Sequence, residues 1–152
     1  RLRKLEDGVV DATLLAFAGL KRLGREATAT AVLEADQFLP AVGQGAVGIE
    51  ARAADTRTRD LLARINHGET LAAVETERSF LAVLDGSCRT PIAGLARIMG
   101  NSIVFRGMIL RPDGSEVHET TCKGAVQDGP LLGAAAAREL KGRAAPGFFA
   151  AA

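Results

Sequence analysis

The feature that most narrows the fold is a change of hydrophobic period around Pro91. Between Thr70 and Leu84, the residues Leu71, Val74, Leu81 and Leu84 recur at spacings of three and four, which predicts an amphipathic helix. Beyond Pro91, Ile92 to Met99, Ser102 to Leu110 and Glu116 to Lys123 read as strands. Gly100-Asn101 and Pro112-Asp113-Gly114-Ser115 separate them as strong turn signals, so an antiparallel meander is the simplest topology. Asp128-Gly129-Pro130 opens a last helix over Leu131 to Lys141, with Pro130 in its first turn, and Phe148 and Phe149 are candidate anchors for the tail.

Upstream, Arg1 to Glu6 reads as a charged helical end stopped at Gly8. The apolar run Ala12 to Ala18 suits a strand buried on both faces, and Gly19 turns it into a short helical piece, Leu20 to Gly24. Residues 25 to 38 are only mildly helical. Ala46 to Glu50 is strand-like, and Asp55 can cap a helix whose buried stripe is Leu61, Leu62 and Ile65 and whose end is Gly68. The chain starts at Arg1 with helical sequence under way and no initiating methionine, so it reads as a fragment.

Composition removes several function classes. Of 152 residues, 47% are apolar and 24% charged, which is an ordinary balance for a packed domain. Nineteen basic residues against eighteen acidic ones, with no basic block and few aromatics, give no footprint for nucleic acid. No apolar run approaches the roughly 20 residues of a membrane span, so a cytoplasmic protein is expected. Cys88, Cys122, His67 and His118 show no metal-ligand spacing, so neither a metal nor a disulfide is expected; each histidine reads as a surface or loop residue, and Cys122 as a strand residue.

Chemistry concentrates in three places. Cys88 lies in the loop Asp85-Gly86-Ser87-Cys88-Arg89-Thr90-Pro91-Ile92, where small neighbours leave room around the sulfur and Pro91 stiffens the chain. A thiol held in this way can act as a nucleophile, while an unpaired cysteine is also an ordinary small apolar residue. Arg78 falls on the apolar line of the helix before it. Its guanidinium either snorkels to the surface or points into a cleft to grip a carboxylate. Gly43, Gly45 and Gly48 satisfy G-x-G-x-x-G, but Pro40 precedes them and strand-like sequence follows, the reverse of a dinucleotide site.

Three separated motifs resemble the hydroxymethylbilane synthases, also known as porphobilinogen deaminases. Asp85 to Ile92 is similar to the family's cofactor-attachment loop, usually Gly-Gly-Cys followed by two variable residues, proline and an aliphatic residue; here Ser87 replaces the second glycine. Asp11 to Gly24 and Leu39 to Glu50 resemble two further stretches of the same family. The resemblance implies an α/β plus α+β architecture. Residues 1–38 would be the remnant of domain 2, an α/β lobe of a periplasmic-binding-protein-like pair. Residues 39–65 would be the return segment into domain 1, a strand and a helix, and 66–152 a small α+β domain 3 with a three-stranded antiparallel sheet.

It also implies a transferase of tetrapyrrole (haem) biosynthesis, a monomer, that links four porphobilinogen units with loss of ammonia on a dipyrromethane cofactor held by a thioether to Cys88. By matching positions, Arg1, Arg22 and Arg78 would bind the carboxylates of the growing pyrrole chain, Gln44 and Gly45 would contact cofactor or substrate, and Ala16 would line the pocket. The family's catalytic aspartate belongs to the missing N-terminal half, so no acid or base in this chain is expected to catalyse, and the fragment alone is expected to be inactive. Two other classes remain open: a non-catalytic binding module for a carboxylate-rich ligand, and a structural domain in which Cys88 is buried and inert.

Overall fold

The computed structural model describes residues 1–86 and 90–149. The chain forms two compact units, Arg1–Phe38 and Leu39–Ala152.

In the first unit, helix α1 spans Leu2–Glu6 and α2 spans Phe17–Arg22, and a short 3-10 turn covers Glu26–Thr28. Both helices end in the same way. Gly8 and Gly24 take positive φ, 68° and 63°, and the residue after each closes a bond back into the last turn, Val9 N–H to Lys4 O and Arg25 N–H to Leu20 O. The expected strand over Ala12 to Ala18 does not form. Residues 12–16 form no regular element and pair with no sheet, and Leu14 is 60% exposed. An apolar run becomes a strand only when a neighbouring strand takes up its N–H and C=O groups, and no described segment does so here. Helix α2 begins at Phe17, so Gly19 lies inside it rather than turning the chain into it.

In the second unit, α3 spans Thr56–Ala63 and α4 spans Gly68–Val83. Asp55 caps α3 as expected, its carboxylate accepting from the Thr58 N–H at 3.0 Å and the Thr58 hydroxyl at 2.8 Å. The stripe assigned to α3 is not buried: Leu61 and Ile65 are exposed and Leu62 half-buried. Gly68 opens α4 instead of ending α3, with His67 at the cap accepting from the Thr70 N–H. Ala46 to Glu50 forms no strand, again without a partner among the described residues, and Val47 is exposed.

Strands β1 (Ile92–Met99), β2 (Ser102–Leu110) and β3 (Val117–Ala125) form the antiparallel meander, in the order β1-β2-β3. Its registers are fixed by tight turns at Gly100 and Gly114, both with positive φ. Helix α5 spans Gly129–Arg143 with proline in its first turn, and α4 and α5 pack against the sheet. The alternate residues Ile103, Phe105 and Ile109 of β2 meet Phe80 of α4, Leu84 just after it, and Ala136, Ala137 and Leu140 of α5 in one core, with Phe148 of the tail. Gly107 lets Phe80 lie directly on β2, since a Cβ there would come within 2.8 Å of the ring. No described helix is long and apolar enough to cross a membrane.

Candidate functional site

The segment around Cys88 is fastened on both sides. At its entrance α4 ends with Asp85 in the left-handed region, φ 52°, while the Gly86 N–H bonds Leu81 O at 3.1 Å. The position that usually falls to glycine in this motif is taken by aspartate, a residue that tolerates it. Gly86 is required next to it for a different reason. A Cβ there would lie 2.4 Å from Leu81 Cδ1 and 2.7 Å from Ile92 Cδ1. Lys141 of α5 reaches across to the end of α4, its Nζ 3.4 Å from Val83 O and 4.0 Å from the Asp85 carboxylate. At the exit, Pro91 O accepts from the Leu110 N–H at 3.0 Å, which seats the chain on the sheet as β1 begins. Cys88 itself, with Ser87 and Arg89, lies outside the described residues.

The glycine-rich stretch is a pinned turn. Pro40 O accepts from the Gly94 N–H at 3.0 Å, Val42 packs against the core, and the Gly43 N–H donates to Glu77 Oε2 at 2.7 Å. Gly43 and Gly45 both need positive φ, 72° and 83°. The Gln44 N–H closes the turn on Ala41 O at 3.3 Å, while the Gly45 N–H has no acceptor among the described residues. Gln44 and Gly45 are both exposed.

Glu77 is the residue that sequence reasoning missed. It is 5% exposed, and its other oxygen, Oε1, accepts from the Ala96 N–H of β1 at 2.9 Å. Burial raises its pKa above the ordinary glutamate value, and the two N–H bonds work in the opposite direction without cancelling it. Thr76, Glu77 and Phe80 are the buried residues of α4; of the expected line, Leu84 is buried just beyond its end and Leu81 packs against the core, while Val74 is half-buried and Leu71 exposed. Arg78 is therefore exposed, which corrects its placement on the buried side: one residue on from Glu77 is about 100° around the helix.

Of the other site residues expected, Arg1, Ala16 and Arg22 belong to the first unit and are exposed. The Arg1 guanidinium donates to Leu14 O at 3.4 Å, and Arg22 closes α2. In the second unit, Gln44 and Gly45 are tied through Gly43 to the helix that carries Arg78. Cys122 is a half-buried strand residue with its Sγ 3.9 Å from Leu132 O; burial, and then the charge of Glu139, push its thiol up, away from reactivity. His118 is not a surface or loop histidine. It stands half-buried in β3, 2.8 Å from Glu116 and with its ring tilted 40° against that of Phe148 at 5.3 Å between centroids. No group of three or more His, Cys, Asp or Glu placed to hold a metal occurs among the described residues.

Most of α4, the cysteine-bearing segment and the three-stranded meander, in that order, fall within residues 71–142, which match the family description "Porphobilinogen deaminase, C-terminal domain". Residues 1–60 match "Porphobilinogen deaminase, dipyromethane cofactor binding domain". Proteins bearing the name porphobilinogen deaminase are 57% identical in Nitrobacter hamburgensis and 56% in Nitrobacter winogradskyi, over 149 residues covering 98% of this chain and 47% of each relative. One from Paracoccus denitrificans is 54% identical over 149 residues, 98% of this chain and 48% of its own. The chain belongs to the porphobilinogen deaminase family, and it spans about half the length of the curated relatives it matches.

Proposed function

We propose that the parent of this chain is a hydroxymethylbilane synthase, which joins four porphobilinogen units with loss of ammonia and releases a linear tetrapyrrole by hydrolysis. The observation that carries this reading is the segment Asp85 to Ile92, with its cysteine, in a chain whose two matched regions both belong to one family. In this reading Cys88 holds the dipyrromethane cofactor through a thioether, and residues 1–38, 39–65 and 66–152 are the remnant of a second lobe, the return into a first lobe, and a third domain. The two lobes would be of the periplasmic-binding type, in a monomeric cytoplasmic enzyme.

The described residues suit such a group. A tether must not wander, and its segment leaves α4 through a closed helix end and joins β1 at a main-chain bond to β2. When bound, the cofactor supplies the pyrrole carbon to which the first substrate unit is joined. Every pyrrole brings an acetate and a propionate. The exposed guanidiniums of Arg1, Arg22 and Arg78 offer paired N–H donors for those carboxylates, and their fixed charge offsets what accumulates as the chain grows. Gln44 through its side chain and Gly45 through its N–H add neutral donors, and Ala16 lines the pocket without polar demands. The acid that protonates the departing ammonia comes from the N-terminal half.

Acidified dimethylaminobenzaldehyde tests the reading, because it colours with protein-bound dipyrromethane. The full-length parent should develop the colour and lose it in Cys88→Ala. A colourless parent that still binds porphobilinogen would instead be a non-catalytic binder of carboxylate-rich ligands.

A further inference from the structure

A small core loses free energy by enclosing a carboxylate unless the group has fixed partners, since an apolar side chain of similar size would fill the space without losing hydration. Glu77 forms no ion pair with a described residue. Its two oxygens are instead divided between two main-chain donors that are far apart in sequence, Gly43 at 2.7 Å and Ala96 at 2.9 Å. One side chain of α4 thereby joins the glycine turn, the first strand of the sheet and the helix leading to Cys88. The turn has two residues at positive φ and cannot hold one shape unaided, because glycine moves freely among conformations. Its anchors are Pro40 O on Gly94, Val42 in the core and Gly43 on Glu77, and the exposed residues Gln44 and Gly45 come immediately after the last of them.

We infer that Glu77 is a positioning residue: its carboxylate fixes the glycine turn so that the Gln44 side chain and the Gly45 N–H are presented to ligand carboxylates, in register with the helix that leads to Cys88. The inference rests on the reading of Gln44 and Gly45 as ligand contacts. Glutamine at 77 keeps the size but only one acceptor oxygen, and turns an NH2 group toward one of the two N–H donors. Alanine at 43 disturbs the same turn from the other end. A Cβ there meets nothing within 4 Å, but φ of 72° strains any L side chain.

The test uses the full-length parent as wild type, Glu77→Gln, Gly43→Ala and the double variant, with steady-state kinetics on porphobilinogen, intact mass and melting temperature for each. All should carry the cofactor mass. In each single variant KM should rise about tenfold while kcat stays within about twofold, as expected when binding common to ground and transition states is lost. The double variant should be no worse than the poorer single one, since both act on one turn. A loaded, folded Glu77→Gln with unchanged KM and a lowered melting temperature overturns the inference and leaves the functional reading intact. A wild-type parent without the added mass overturns both. If Glu77→Gln does not fold, Gly43→Ala decides by the same two kinetic constants.

Discussion

Gly133 of α5 lies against the main chain of Thr76 in α4, so closely that a Cβ on residue 133 would stand 2.2 Å from the Thr76 carbonyl oxygen. One turn earlier, a Cβ on Gly129 would stand 2.2 Å from Thr76 Oγ1. Because the obstacle at 133 is backbone, the helices must part to admit a methyl group. Gly133→Ala should cost about 2 kcal/mol net, even though alanine favours the helix by about 1 kcal/mol over glycine. Chemical denaturation checks this, and unchanged or raised stability would refute the close approach.

The tail is held by Phe148, which is 3% exposed, with its ring 5.3 Å from that of His118 and 5.5 Å from the Arg111 guanidinium. Phe148→Ala should lower stability by about 3 kcal/mol, from lost burial and the cavity left behind. Phe149→Ala, at a half-buried position, should cost less. Equal losses from the two would contradict the placement of the anchor.

Glu77 gives stability a pH dependence of definite sign. Its folded pKa is raised above 4.5, chiefly by burial, so the folded protein holds this proton more tightly than the unfolded chain. Its contribution is fully present below 4.5 and is lost as pH rises through the folded value. The stability of wild type relative to Glu77→Gln should therefore fall from acidic to neutral buffer. Urea titrations across that range measure it, and the opposite slope would exclude the burial effect.

Asp55 has the reverse sign. The Thr58 N–H, then its hydroxyl, hold the Asp55 pKa below 3.8, so its contribution is present above 3.8 and is lost as pH falls through the folded value. Asp55→Asn should keep the α3 cap and lose that acid sensitivity, while Asp55→Ala should fray the first turn. Hydrogen exchange at the Thr58 amide distinguishes the two.

If, as proposed, the acid for ammonia loss belongs to the N-terminal half of the parent, the chain taken alone should form no hydroxymethylbilane from porphobilinogen. Turnover by the purified 152-residue chain would refute that division of labour.

The three-stranded meander and the last helix were legible because local chemistry marks them: Gly100 and Gly114 take the positive φ that the turns need, and Pro130 sits where a helix start tolerates it. The helix before Cys88 was legible as an element but only partly in its orientation: Leu81 and Leu84 of the expected line meet the core, while Leu71 is exposed. Its buried face includes Thr76 and Glu77, which do not look buried in a hydropathy pattern. Thr76 is buried because it faces the glycines of α5, and Glu77 because its partners lie 34 and 19 residues away. Ala12 to Ala18 and Ala46 to Glu50 show the complementary failure, since the right composition for a strand does not supply a second strand to pair with. The cysteine motif and the glycine turn were legible as sequence, while the carboxylate that ties the turn to the helix was visible only in three dimensions.

In the proposed parent enzyme, Cys88 carries a pyrrole-derived group. Intact-mass spectrometry of the full-length parent tests it most directly. The mass should exceed that of the polypeptide by one thioether-linked dipyrromethane, absent in Cys88→Ala; a wild-type parent at its bare polypeptide mass, or an adduct that survives the substitution, would rule out attachment at Cys88.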